Sequence, residues 1–169
     1  MIRRTHESDG TWSEAVYSDC ERYRYALTRI WDADARRVMF VMLNPSKANE
    51  IANDPTVERC ERRARALGYG AFRVTNIFAW RDTDPHAMRK AKTPVGPDND
   101  QTLIDGTAWA DDIIAAWGAH GEHRDQGIYV RDLLFRTEAP IFHLGLTKAG
   151  HPRHPLYISY AQQPERWHP

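Results

Sequence analysis

The placement of hydrophobic residues divides this chain into recognisable segments. Over residues 22–30, Tyr23, Tyr25 and Leu27 alternate with Arg22, Arg24 and Thr28. That period of two is the pattern of a half-buried strand, and it predicts an edge strand. Residues 37–43 (RVMFVML) are apolar almost without interruption, as in a central strand covered on both faces. The run stops at Asn44-Pro45, because proline has no N–H for a ladder and pushes the preceding residue towards extended geometry. Between residues 56 and 67, Val57, Cys60, Ala64 and Leu67 recur at helical spacing, and Gly68 supplies a stop.

The same reading predicts strands at 71–79, 112–117 and 140–144. Helices are expected to open at Asp84-Pro85 and to cover about 99–110 and about 128–137. Strands alternating with helices favour an α/β three-layer sandwich: a central four-stranded parallel sheet with an N-terminal edge strand, in one domain over 1–169 with its core at about 22–160. The polar N-terminal segment and the tail, 162–169, are expected to be loose. In such a sheet ligands bind outside the carboxyl ends of the strands.

Composition narrows the partners more than the fold. The 169 residues are 41% hydrophobic and 27% charged, which argues against disorder and against a membrane class. Lys and Arg number 23 against 23 Asp and Glu, so a nucleic-acid partner would have to meet a local basic patch. Cys20 and Cys60 lack metal-ligand spacing and read as reduced thiols; neither a metal nor a cofactor is expected. Residues 1–18 hold no apolar signal core and no run reaches membrane-spanning length, so the expected compartment is the cytoplasm.

Candidate chemistry gathers where the four core strands end. Asn44-Pro45-Ser46 follows the first, Asn76 and Trp80 belong to the second, Trp117-Gly118-Ala119-His120-Gly121 closes the third, and Lys148, His151, Arg153, His154 and Tyr157 follow the fourth. Asn-Pro is also a common turn. Asn76 in an apolar strand must find partners or cost roughly 1–3 kcal/mol, and its amide suits a base edge as well as a neighbouring loop. Trp80, Trp117 and Tyr157 could stack on a flat ligand or fill the core. Arg62, Arg63 and Arg65 read as a solvated helix face paired with Glu58 and Glu61.

The segments MLNPSKAN, NDPTVERC, VTNIFAWR, AWG and GHPRHPLY, in this order, resemble a bacterial and phage family known as domain of unknown function 1643. More distantly the chain resembles the uracil-DNA glycosylase superfamily. Met42-Leu43-Asn44-Pro45-Ser46 is similar to its Gly-x-Asn-Pro-Gly motif, Val74-Thr75-Asn76-Ile77 to its base-reading strand, and His151-Pro152-Arg153 or His154-Pro155-Leu156 to its His-Pro-Ser motif. Met42 and Ser46 replace the flanking glycines, and no acid stands at the water-activating position.

This second resemblance implies hydrolysis of an N-glycosidic bond in DNA or RNA. Asn44 would position water, a neutral His151 or His154 would stabilise the departing base, and Asn76 would read its edge. Pro45, Ser46, Trp80, Trp117, Lys148, Arg153 and Tyr157 would complete the substrate site, without metal or cofactor. Two alternatives stay open: a non-catalytic module that binds nucleic acid or a nucleotide, and a phosphate-binding hydrolase with Ser46 as nucleophile. The glycosylase reading expects Asn44, Asn76 and one histidine to share a cavity.

Overall fold

In the computed structural model, which describes residues 1–168, the apolar run becomes strand β4 (Arg37–Met42) at the heart of the sheet. Its Val38, Met39, Phe40 and Val41 have no exposed surface. Strand β5 (Ala71–Asn76) and strand β6 (Asp112–Ala115) flank it in parallel, and β7 (Ile141–His143) runs parallel to β6. The four expected core strands are therefore parallel neighbours.

The expected four-stranded sheet needs correction, because these strands are the middle of a mixed, eight-stranded one. With β1 (Ile2–Ser8), β2 (Thr11–Tyr17), β3 (Arg24–Ile30) and β8 (Glu165–Arg166), the order is β1-β2-β3-β5-β4-β6-β7-β8. The supposed loose N-terminus is a hairpin. Ser8 pairs with Thr11 across a two-residue turn, Asp9-Gly10, whose φ angles of 51° and 76° are those that hairpin twist favours. Nor is β3 an edge, since it is antiparallel to β2 on one side and to β5 on the other. The tail is also anchored: β8 pairs with β7, and buried Trp167 packs against Trp117 with ring centroids 5.7 Å apart.

Helix α1 (Pro55–Ala66) begins where Asp54 caps it, accepting from the Val57 N–H at 2.9 Å, with proline at the first position. Its Val57, Cys60 and Ala64 cover one face of the sheet with Phe40, Met42 and Phe72. Helices α3 (Asn99–Trp109) and α4 (Gln126–Phe135) place Leu103, Val130 and Leu134 on the other face, against Met39, Val41 and Ile113. The short α2 (Pro85–Lys90) is capped by Asp84. From β4 the chain steps one way to β5, then crosses back over β4 to β6. The carboxyl ends of β4 and β6 thus form the switch point where a crevice opens.

Arginines on β3 and α1 hold the loops around that crevice. On β3, Arg24 donates to the Ala48 carbonyl at 2.8 Å, and Arg29 to the Asn49 carbonyl at 2.8 Å and to Asn53 Oδ1 at 2.7 Å. On α1, Arg59 bonds the carbonyl of Pro155 at 2.9 Å and also that of Ile158, while Arg63 bonds those of Gln162 at 2.9 Å and Ser159 at 3.1 Å. Arg62 and Arg65 pair with Glu58 and Glu61 as expected. Arg63 does not belong to that solvated face: it is 2% exposed.

Arg63→Met should accordingly leave two loop carbonyls, those of Ser159 and Gln162, without their donor and cost on the order of 3 kcal/mol, read as a lowered urea midpoint. Arg62→Met should leave the midpoint where it is. Equal effects of the two substitutions would show that Arg63 holds nothing.

Candidate functional site

A cavity of about 390 Å³ opens at the switch point. The β4 exit contributes Asn44 and Ser46, the start of α1 Asp54 and Thr56, and the β5 exit Asp82 and Thr83. The β6 exit adds Trp117, Gly118 and His120, and the β7 exit His154, Leu156 and Tyr157. All four core strands therefore reach one rim.

Asn44 ties two of these exits together. Its Nδ2 donates to the Asp82 carbonyl at 2.9 Å and to that of Pro45 at 3.2 Å, and the Asp82 N–H donates back to the Pro45 carbonyl at 3.0 Å. A second tie joins β6 to the histidine loop, where the Gly118 N–H meets the Pro152 carbonyl at 2.7 Å. Gly118 has φ 74°, and a Cβ there would stand 3.3 Å from that of His154. Only a residue without a side chain suits both the angle and the approach.

His154 caps the 3₁₀ turn Pro155–Tyr157, its Nδ1 accepting the Leu156 N–H at 3.3 Å. An accepting Nδ1 leaves the ring proton on Nε2, so the neutral imidazole is a donor there. Burial pushes its pKa from the ordinary 6.5 down to about 4, against a smaller upward pull from Asp54. His120 is arranged alike: Arg89 reaches its Nδ1 at 3.3 Å, and burial, His86 and Arg89 all lower its pKa.

Asp54 supplies the carboxylate. Oδ1 holds the α1 cap and Oδ2 accepts the Ala48 N–H at 3.2 Å, while among the described residues no cation lies within ion-pair distance. The cavity thus combines two carboxylates, Asp54 and Asp82, that form no ion pair among the described residues, with two neutral imidazole donors. Neither histidine suits the removal of a proton from Ser46, since each has its Nδ1 engaged and its proton on Nε2. Among the described residues no group of three or more His, Cys, Asp or Glu is arranged to hold a metal ion, and no helix is long and apolar enough to cross a membrane.

The expected site residues separate into two sets. Asn44, Ser46, Trp117, His154 and Tyr157 line the cavity, Trp117 fully buried in its wall and Tyr157 91% exposed at its mouth. Pro45 is buried beneath it. Asn76 is outside the lining: it is 1% exposed within β5, and its side-chain amide has no partner among the described residues. His151 lines a separate depression with Glu122, Asp125 and Arg131, and Trp80 an adjoining groove. Lys148 and Arg153 are exposed and line neither space. Asn44 and His154 therefore meet in one cavity, and Asn76 and His151 do not join them.

Asp54 and Asp82 escaped the sequence reading. For Asp54 a signal was present in Asn53-Asp54-Pro55, an acidic cap followed by proline at a helix start, which places a carboxylate at the carboxyl rim of the sheet.

The profile of a family described as "Protein of unknown function (DUF1643)" matches residues 24–156. The chain belongs to that family. No curated protein and no solved structure matches it. The DUF1643 span starts with β3 and ends inside the 3₁₀ turn after His154, so it holds the parallel core and every cavity-lining residue except Tyr157. The β1–β2 hairpin and β8 lie outside it.

His154 links this site to stability. Its folded pKa lies below its unfolded value, so the unfolded chain binds the extra proton between pH 6.5 and about 4. Stability should be full above pH 6.5 and fall by roughly 3 kcal/mol on acidification through that window. His154→Asn, which keeps a capping acceptor, should remove that share of the slope in urea titrations at stepped pH. An unchanged slope would mean that His154 is not buried as described.

Proposed function

We propose that this protein hydrolyses the N-glycosidic bond of a nucleobase bound in the switch-point cavity. The observation that carries the reading is the pairing of His154, a neutral Nε2–H donor, with the Asp54 carboxylate on the walls of one cavity that also holds Asn44. A volume of about 390 Å³ falls in the range of small-ligand sites, roughly 300–1,000 Å³.

The chemistry follows from the charges. As the C1′–N bond breaks, its electron pair leaves with the base, and a neutral donor stabilises that anion without first losing its own proton. His154, with a pKa near 4, stays neutral at physiological pH. The sugar carbon becomes electron-poor, a state that Asp54 favours by charge, and water adds to it while giving its proton to the carboxylate. Asn44 has Nδ2 engaged on the loop carbonyls and Oδ1 left to accept from that water. The histidine tautomers speak against a Ser46–histidine pair, because both rings present donors where such a pair needs an imidazole base. Asn76, outside the cavity lining, has no part in this mechanism.

Incubation with oligonucleotides carrying a panel of modified bases, with released base detected by mass spectrometry, tests the reading. Wild type should release a base; His154→Ala should lower kcat by about 100- to 1000-fold with little change in KM. Asp54→Asn, which retains a good helix cap, should also lower kcat. Full turnover by His154→Ala, or no base released from any substrate, would leave the cavity a binding site without this chemistry.

A further inference from the structure

Beside the cavity lies a groove of about 420 Å³ that shares Ser46, Asp82 and Thr83 with it. Its other walls are Arg22, Lys47, Arg81, Trp80 and Glu21. The cations are free. Glu21 is neutralised from outside by Arg4 at 2.6 Å, and among the described residues Arg22, Lys47 and Arg81 form no ion pair. Three unpaired cations therefore face one unpaired carboxylate, Asp82.

Their placement is ordered. Arg81 is pinned by donating to the Glu21 carbonyl at 2.9 Å. The Arg22 guanidinium lies over the Trp80 ring, 5.6 Å from its centroid, and Trp80 is braced by the edge of Tyr23. Lys47 projects from the residue next to Ser46, on the lip that divides groove from cavity. A local basic strip with flat surfaces on a chain of zero net charge is the pattern that holds a phosphodiester backbone and stacks an unpaired base.

We propose that this groove carries the sugar–phosphate backbone of a single nucleic-acid strand, with the target base turned across the Ser46–Asp82 lip into the cavity. The inference rests on the hydrolase reading for the base in the cavity. Arg22, Lys47 and Arg81 contact phosphates, and a neighbouring base lies on the Arg22–Trp80 pair, whose planes accept a base only once it has left the stack of a duplex.

The test is fluorescence-anisotropy titration of labelled oligothymidylate and oligouridylate across a salt series. Wild type should bind at least one of them with an affinity that falls as salt rises, each phosphate contact adding about 0.7 to the slope of log K against log salt. Arg22→Ala combined with Lys47→Ala should weaken binding about ten-fold at low salt and make the slope shallower by about 1.4. Both side chains are exposed, so the variant should melt like wild type. Arg136→Ala, which removes an exposed cation on the opposite rim, should change neither affinity nor slope. Absence of strand binding, or an unaltered slope in the double variant, overturns the proposal. The readout needs no turnover: strand binding with no base release sinks the hydrolase reading alone, while base release that persists with an unaltered slope sinks the groove alone.

Discussion

A backbone carbonyl that leaves a sheet and stays inside the protein must find a donor, and in two of the loops around the cavity arginine supplies it. Arg24 and Arg29 reach from β3 to the loop after β4, and Arg59 and Arg63 from α1 to the segment after His154. A guanidinium offers five N–H groups in a rigid fork, so one side chain can hold two or three carbonyls in fixed relation. The cost of burying it is offset only while those bonds are made. The two cavity walls thus depend on two elements, and α1 joins them: its cap, Asp54, binds Ala48, whose carbonyl Arg24 holds.

The electrostatic character of the cavity follows from that rigidity. Burial keeps His154 and His120 neutral, while two backbone N–H groups fix the Asp54 carboxylate, which forms no ion pair among the described residues. A site with a fixed carboxylate and fixed neutral donors is suited to charge separation within a substrate, since little has to reorganise as the charge develops. The contrast between the two histidines has a structural cause. His154 sits against Gly118, where two loops are bonded together; His151 closes the turn that begins at Thr147 and belongs to a different depression.

The hairpin and β8 lie outside the matched family span and finish the two sides of the sheet. β2 covers the flank of β3 that would otherwise present unpaired N–H and C=O groups, and β8 does the same for the three-residue β7. The hairpin turns an edge strand into an interior one, and on that strand Arg24 and Arg29 are buried against the loop after β4.

Local pattern by itself determined the parallel core. The runs around Phe40, Val74, Ile114 and Ile141 are apolar because both faces of each strand are covered, and the helices between them show their own spacing, so strand order of this type leaves few topologies. It also placed Asn44 and His154 on one rim. Tertiary structure decided the rest. The alternation over residues 22–30 looks the same whether the arginines meet water or buried carbonyls, because hydrophobicity records a side chain and not its partner. Residues 2–8 are polar and β1 is mostly exposed, so the hairpin is marked chiefly by its Asp9-Gly10 turn. Asn76 and His151 stand at the right places in the chain for a shared site, yet which way a side chain turns depends on the pleat and on the loop that carries it. Asp54 enters the cavity for the converse reason: a helix cap is a local feature, and only the fold brings that helix end to the switch point.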